Sequence, residues 1–351
     1  MSEHPFLEGL RHGPDYLLQN LDFLNRRGLV IQASEAVYRR ASFLDERMFT
    51  PDTRGAWFPF ETLQQATANL GSRTAHYIFH VGHCGSTLLS RLLAELPGCF
   101  PLREPIAFLA LAMAKRTLGS ADAMLDEVAW QNLFDTIARL QTRCYRDADT
   151  ALVKSTSAAI NLMQPVLARD TDTRAIYLHV GLETYLATML RAEACRESVR
   201  GYATAWLADL RVLADLPGLS LSGLDDARLT ALAWLANRLH ARRASQAFAG
   251  RVQWLDFDAL LARPAHFLHE TAAFLGLEVR GSDSAALLEN PILQRYAKDP
   301  SQPFTASART EELNDARQRC AAEIRAGLAW VEQLSDHSSV LAALTSPPHA
   351  N

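Results

Sequence analysis

The fold is decided by one stretch, Tyr77-Ile-Phe-His-Val-Gly-His-Cys-Gly-Ser-Thr-Leu-Leu-Ser-Arg-Leu-Leu93. Its first residues are apolar, as in a buried strand, and its last residues place leucines at helical spacing. Gly82 and Gly85 let successive backbone N–H groups point inward, and the N-terminus of the following helix adds unpaired amides and the positive end of its dipole. The stretch therefore predicts a strand, a phosphate-binding loop and a helix.

This loop differs from the pattern G-x-x-x-x-G-K-[ST] of nucleotide triphosphatases. His80 stands at the first glycine and Ser86 stands at the lysine, so it is not a standard ATP or GTP loop. The predicted anion ligands are the residues of the loop itself, namely Gly82, His83, Cys84, Gly85, Ser86 and Thr87. The alternative is a strand-to-helix turn that the two glycines keep tight.

Short apolar segments followed by helical patterns recur along the chain. The strand candidates are His76–Val81, Cys99–Leu102, Ala151–Val153, Arg174–His179 and Val252–Phe257. This alternation predicts an α/β fold of the P-loop type, a doubly wound parallel sheet with helices on both faces, which binds ligands at the carboxyl ends of its strands.

The remaining segments predict the domain organisation. We expect residues 1–73 to form a helical and irregular extension and residues 74–351 to form the main domain. Within that domain, residues 183–250 predict a helical insertion that caps the sheet. Residues 291–309 predict a long polar loop, a type of segment that is often functional, before a last helix from about Glu311 to Leu334.

Composition limits the class of protein. The 351 residues are 48% hydrophobic and 21% charged, enough for a large core, and the formal net charge is −4. No basic field is present for nucleic acid or an anionic membrane, and the longest apolar run, residues 106–114, is too short to span a bilayer. Five scattered cysteines without a C-x-x-C pair argue against disulfides and zinc. We therefore predict a cytoplasmic protein; its oligomeric state is not predicted.

Four blocks of sequence carry a family resemblance. They are Gly82–Leu93, Pro101-Leu-Arg-Glu-Pro105, Val153-Lys-Ser-Thr156, and Arg251–Pro264 together with Thr271–Leu277. In this order, over about residues 76–280, they resemble the sulfotransferases that use 3′-phosphoadenosine 5′-phosphosulfate (PAPS). The resemblance implies a transferase that takes PAPS as co-substrate, moves its sulfuryl group to a hydroxyl or amine of a small-molecule or peptide acceptor, and requires no metal.

The resemblance also implies catalytic roles. Glu104 corresponds to the acceptor-side base, and Lys154 corresponds to the lysine that neutralises charge on the bridging oxygen. His83 stands where the family usually has Lys or Arg, so its protonated form is expected to do the same work. The alternatives are a helix-terminal carboxylate for Glu104 and, for Lys154, a lysine whose stem crosses apolar surface and whose ammonium group caps a helix or meets a carboxylate. Arg103 is a further candidate for binding an anion.

The chain departs from the family at the 3′-phosphate of the donor. Val180 stands at the family's arginine, whereas Thr188 keeps a hydroxyl at its serine. Arg295 and Lys298 in the late loop are the predicted replacements for the missing cation, with Arg191, Arg196 and Arg309 as further candidates. The alternative is that these cations are solvated.

Two rival functions remain at this point. The first is another nucleotide-dependent transferase or kinase on the same fold; Ser86 and the lack of a carboxylate after Arg174–His179 argue against it. The second is a degenerate sulfotransferase-like binding protein, which Val180 and His83 favour.

No metal site is predicted from the histidines near the strand ends, because they have no Cys or carboxylate ligands at fixed spacing; they are His76, His80, His83 and His179. Cys84 is interpreted as a small side chain in a tight loop and not as a nucleophile.

Overall fold

The computed structural model describes residues 4–71, 73–146, 149–279, 295 and 304–345. Its strands are β1 (Tyr16–Asp22), β2 (Arg27–Gln32), β3 (Gly55–Pro59), β4 (Ala75–His80), β5 (Cys99–Arg103), β6 (Thr150–Lys154), β7 (Ala175–His179) and β8 (Val252–Asp256). Its α-helices are α1 (Pro5–His12), α2 (Glu35–Arg40), α3 (Phe60–Thr67), α4 (Ser86–Ala94), α5 (Ile106–Lys115), α6 (Glu127–Gln141), α7 (Met163–Arg169), α8 (Leu182–Leu190), α9 (Glu193–Leu213), α10 (Asp226–Ala247), α11 (Phe257–Ala262), α12 (Pro264–Leu275), α13 (Ala306–Arg319), α14 (Ala321–Asp336) and α15 (Ser339–Thr345), with short 3-10 helices at Glu46–Met48 and Ser157–Leu162.

A five-stranded parallel sheet with helices on both faces forms the centre, which confirms the predicted fold class. Its strand order is β5-β6-β4-β7-β8, and its strands coincide with the predicted ones to within one or two residues at each end. Because alternate residues point to opposite faces, Ile78 packs with the leucines of α4 while Tyr77 and Phe79 pack against α5, α6 and α7. β4 lies in the middle, so the loop that follows it opens at the carboxyl edge of the sheet.

The N-terminal region contains a sheet where we expected helical and irregular structure. β1, β2 and β3 form an antiparallel sheet in chain order, with α1, α2 and α3 around it. The apolar residues of β1 are buried in consecutive positions, because the strand contacts α1 as well as α5 and α6. A strand that is buried on both faces shows no apolar–polar alternation, so its period is not visible in the sequence.

The helical insertion and the C-terminal helices lie around the carboxyl edge. α10 contacts β8 and α7 and so covers part of one face of the sheet, while α8 contacts α13 and α14. The last helical segment begins at Ala306, earlier than predicted, because the Thr305 hydroxyl caps the helix by accepting from the Ala308 N–H, and it is interrupted at Cys320. Of the predicted late loop, Lys298 lies outside the described residues. None of the helices within the described ranges is long and apolar enough to cross a membrane.

Candidate functional site

The loop after β4 has a backbone that exposes amides. Gly82, His83 and Gly85 have φ angles of 96°, 50° and 75°, all in the left-handed region, and Gly85 immediately precedes α4. A Cβ at Gly85 would lie 1.9 Å from Cε2 of Phe257, so the start of α11 packs directly against the loop. Only glycine fits at this position, both for its conformation and for its space.

His80 holds the loop in place through hydrogen bonds to the backbone. Its Nδ1 accepts a hydrogen bond from the Gly82 N–H at 3.0 Å, and its Nε2 donates to the carbonyl oxygen of Ser155 at 2.8 Å. Both ring nitrogens are therefore used by the backbone, and the imidazole is held in its neutral form. Cys84 is fully buried and its thiol donates to the Leu178 carbonyl at 3.4 Å, which agrees with the structural interpretation of this cysteine.

A cavity of about 330 Å³ opens over the loop. It is lined by His80, His83, Gly85, Ser86, Thr87, Leu88, Glu104, Thr188, Arg191, Phe257, Arg295, Phe304, Thr305, Ala308, Arg309, Glu312 and Leu313. Most of the predicted site residues are thus brought together, whereas Gly82, Cys84 and Lys154 lie behind the lining. The Thr87 hydroxyl is buried and has no hydrogen-bond partner among the described residues. A polar atom left without a partner at the head of such a loop fits an anion ligand.

Glu104 and Lys154 form an ion pair at the edge of the cavity. The parallel register places Arg103 beside Lys154, and the Glu104 N–H donates to the Lys154 carbonyl at 2.6 Å. Lys154 is completely buried, and its ammonium group donates to the Glu104 carboxylate, whose side chain is 15% exposed. Glu104 has a φ of 51°, a conformation that a non-glycine residue adopts at a cost of about 1–3 kcal/mol. Two of the three predicted catalytic residues are therefore direct partners, and Lys154 meets a carboxylate as its structural alternative predicts.

The N-terminal region contributes to this pair. The Phe43 ring centroid lies 5.8 Å from Lys154 Nζ and 3.5 Å from Arg47 Cζ. A hydrogen bond to Asp45 raises the pKa of Arg47, and the Glu104 carboxylate adds a smaller contribution in the same direction. Sequence reasoning missed Phe43 and Arg47, because no motif surrounds them and the contact spans more than fifty residues.

Arg103 holds this segment in place and does not bind a ligand. It is 2% exposed, and its NH1 donates to the carbonyls of Tyr38, Arg39 and Ala41 at 3.2, 3.1 and 2.9 Å. The guanidinium thus caps the end of α2. The expectation that Arg103 is available for an anion is wrong because backbone carbonyls already occupy it.

Arginines from three segments line the far part of the predicted donor site. Val180 is buried in the core, and its carbonyl accepts from Trp234 Nε1, so no cation stands at that position. Thr188 lines the cavity while its hydroxyl donates to the Thr184 carbonyl at 2.7 Å. Arg191, Arg295 and Arg309 line the same cavity, with Arg191 paired to Glu312 and Arg309 to Asp258.

Arg196, by contrast, is a structural residue. Its guanidinium is held by Glu323, Asp226 and the carbonyl of Leu190, away from the cavity. Burial lowers the pKa values of both His76 and His179 to about 4, so these histidines are neutral near pH 7. Across the described ranges, no three His, Cys, Asp or Glu side chains are grouped to hold a metal ion.

Matches to known proteins are found among solved structures. No family model and no curated protein matches the sequence. Among solved structures, the chain is similar to a sulfotransferase domain from the curacin biosynthetic pathway, with 14% identity, a TM-score of 0.43, and coverage of 71% of this chain and 98% of that one. It is also similar to a sulfotransferase from Alicyclobacillus acidocaldarius, with 14% identity, a TM-score of 0.37, and coverage of 73% and 96%.

A mouse sulfotransferase complexed with PAP shows 13% identity, a TM-score of 0.38, and coverage of 84% of this chain and 97% of that one. These structural neighbours belong to the same family that the sequence blocks resemble. At these sequence identities and TM-scores, neither a ligand nor an activity is transferred from these proteins to the present chain.

Proposed function

We propose that the chain is a sulfotransferase that moves a sulfuryl group from PAPS to a hydroxyl or amine of a small-molecule or peptide acceptor. One observation carries this proposal. A single cavity combines a left-handed, amide-exposing loop, a carboxylate at Glu104, and the guanidinium groups of Arg191, Arg295 and Arg309. A donor with two separate phosphate groups needs two anion sites, and an acceptor hydroxyl needs a base.

The loop is the proposed site of the 5′-phosphosulfate. Backbone amides at residues 83–87 and the first turn of α4 supply N–H donors, and the Thr87 hydroxyl, unpartnered among the described residues, supplies another. His83 lines the cavity, and a protonated imidazole there would neutralise charge on the phosphate. This assignment uses the left-handed backbone of the loop after β4.

The arginines are the proposed site of the 3′-phosphate. Arg191, Arg295 and Arg309 replace the cation that is lacking at Val180, and Thr188 lines the same cavity. The pairs with Glu312 and Asp258 orient two of the guanidinium groups, each of which keeps further N–H donors for a phosphate. Lys298 stays a proposed ligand from the late loop.

The chemistry follows from the Glu104–Lys154 pair. PAPS would supply the sulfuryl group, whose bond to the bridging phosphate oxygen breaks, with the electron pair staying on that oxygen, as the bond to the acceptor atom forms. Glu104 takes the proton of the acceptor, and its ion pair with Lys154 holds the carboxylate at the edge of the cavity. Once Glu104 carries that proton, the ammonium group of Lys154 no longer faces a full negative charge, and from behind the cavity lining its field stabilises the negative charge that develops on the bridging oxygen.

A degenerate binding protein is the second candidate. Two observations favour it, namely the apolar, buried Val180 and the closed Glu104–Lys154 pair, which engages the base in the structure. Such a protein would bind the nucleotide without turning it over. A kinase-like enzyme lacks a comparable observation, since Ser86 replaces the lysine of its phosphate loop.

Calorimetry separates these candidates. We expect 3′-phosphoadenosine 5′-phosphate to bind and Mg²⁺ with ATP or GTP not to bind. Arg309→Met should weaken the bisphosphate by about tenfold or more while leaving adenosine 5′-phosphate, which lacks the 3′-phosphate, unchanged. Arg319→Met is the matched control, because Arg319 lies on the same helix and, among the described residues, pairs only with Asp315. Preferential binding of ATP, or of no nucleotide, would refute the assignment of the donor.

Turnover is tested with radiolabelled PAPS and a panel of phenols, alcohols and amines. An enzyme transfers label to at least one acceptor, and Glu104→Gln abolishes the transfer while the bisphosphate still binds. Tight binding without transfer or hydrolysis in the unmodified protein would establish the binding protein instead.

A further inference from the structure

Arg238 on α10 is a buried cation without a polar partner. The residue is 9% exposed, its Nε is fully buried, and its guanidinium makes no hydrogen bond or ion pair with any described residue. Its Cζ lies 4.6 Å from the ring centroid of Trp234 and 5.0 Å from that of Trp254. Such contacts engage the flat face of a guanidinium and leave its in-plane N–H donors unused.

Two further polar groups beside Arg238 also lack partners. Tyr177 and His179 lie on the same face of β7, and Trp254 pairs with Tyr177 in register, with 4.8 Å between their ring centroids. The Tyr177 hydroxyl and His179 Nδ1 are buried and form no hydrogen bond within the described part of the chain. The nearest carboxylate oxygen, from Asp256, lies 3.7 Å from His179 Nδ1, beyond hydrogen-bond distance.

The charge around this group is positive. Arg242 lies one helical turn beyond Arg238, and its positive charge lowers the pKa of Arg238. Arg242 forms no ion pair within the described residues. The Asp256 carboxylate raises the pKa of Arg238. Burial lowers the pKa of Arg238, with Tyr177 partly offsetting that effect. A buried guanidinium that forms no ion pair is unfavourable, and so are buried donors without acceptors. Water would satisfy the donors alone, whereas an oxyanion satisfies both the donors and the charge.

We propose that Arg238, Tyr177 and His179 bind a small tetrahedral oxyanion, free sulfate or phosphate, beside β7 and β8. Arg238 is 9% exposed, Tyr177 is fully buried and the His179 side chain is 15% exposed, so the site suits an inorganic ion rather than the end of a larger ligand. None of the three residues lines the loop cavity, so this site is separate from the proposed donor site and does not depend on it.

Tryptophan fluorescence tests the proposal in solution. Sodium sulfate is titrated into the full chain against sodium chloride at constant ionic strength, and Trp234 and Trp254 report binding because they contact Arg238. We expect a saturable change that Arg238→Met weakens by about tenfold or more and Tyr177→Phe by a smaller factor. Arg228→Met is the matched control, since Arg228 is on the same helix and, in the part of the chain that the structure describes, pairs only with Asp225.

Thr87→Val separates the two anion sites, because no tryptophan lines the loop cavity. This variant should leave the fluorescence titration unchanged. An equal affinity in the Arg238→Met and unmodified proteins, with both shown to be folded by circular dichroism, would overturn the proposal.

Crystallography locates the ion. Crystals soaked in sodium selenate, an isostere of sulfate, should show an anomalous peak within hydrogen-bond distance of the Arg238 guanidinium. A peak at residues 82–87 alone, or ordered water in place of the ion at Arg238, would show that the cluster is not an oxyanion site.

Discussion

Replacing Gly85 by alanine tests the conformation on which the loop site depends. The residue has a φ of 75°, and an added Cβ would lie 1.9 Å from Cε2 and 2.2 Å from Cζ of Phe257. The left-handed backbone costs an alanine about 1–2 kcal/mol. Forcing the ring aside adds about 1–3 kcal/mol, the usual range for overpacking a core. Gly85→Ala should therefore lower the free energy of unfolding by about 2–5 kcal/mol.

Gly276 provides a matched control. It follows α12 with a φ of 71°, and no atom lies within 4 Å of the position of its Cβ. Gly276→Ala therefore carries the backbone cost alone, about 1–2 kcal/mol. The difference between the two variants isolates the contact with Phe257.

A double-mutant cycle then identifies the ring as the cause. In a Phe257→Ala background, Gly85→Ala should cost no more than Gly276→Ala does, which corresponds to a coupling energy of about 1–3 kcal/mol. Urea unfolding, followed by circular dichroism, measures all the variants. If Gly85→Ala and Gly276→Ala cost the same, or if the cost at Gly85 persists without the ring, the loop is not held against Phe257 and the reasoning about the phosphate site fails.

Two further predictions concern buried charge. Glu104→Gln leaves the fully buried Lys154 without its counter-ion and should lower the free energy of unfolding, measured in urea, by about 3–5 kcal/mol. Lys154→Met should lower it less, because the Glu104 carboxylate reaches the cavity. Equal losses of stability in the two variants would contradict this asymmetry. Burial lowers the pKa of His76 from 6.5 to about 4, so the folded state favours the neutral ring. The contribution of His76 to the stability of the protein is therefore fully present above pH 6.5 and is lost as the pH falls toward 4. His76→Asn should reduce that loss by about 2–3 kcal/mol between pH 7 and pH 4, and an unchanged pH profile would show that His76 is not the group responsible.

The central sheet could be predicted because β4, β5, β6 and β7 are buried along nearly their whole length, whereas β8 is more exposed. In β4 the apolar residues Tyr77, Ile78 and Phe79 are consecutive, and the glycines after this strand mark the position at which the chain turns toward the ligand edge. The N-terminal strands could not be predicted in the same way. β1 is also buried on two sides, but its polar residues Gln19 and Asn20 interrupt the apolar run.

The geometry of the candidate site was harder to predict from the sequence than the fold. Glu104 and Lys154 were each recognisable from their blocks, but only the register of β5 against β6 makes them partners. Phe43 approaches the same pair through the fold and not through any pattern. Val180 shows the converse case. Its substitution was visible in the sequence, but the structure was needed to show that Arg191 after α8, Arg309 on α13 and Arg295 line one cavity.

The position of Arg103 has a consequence for how the chain folds during synthesis. The carbonyls of Tyr38, Arg39 and Ala41 leave the ribosome more than sixty residues before the guanidinium that binds them. Until β5 is made, the end of α2 lacks this cap, and if residues 4–71 were removed, Arg103 would lose its three carbonyl acceptors and keep only the Ser90 hydroxyl among its described partners. The N-terminal sheet and the central sheet should therefore complete their folding together, so a truncated chain that begins at residue 74 is expected to be recovered as insoluble protein.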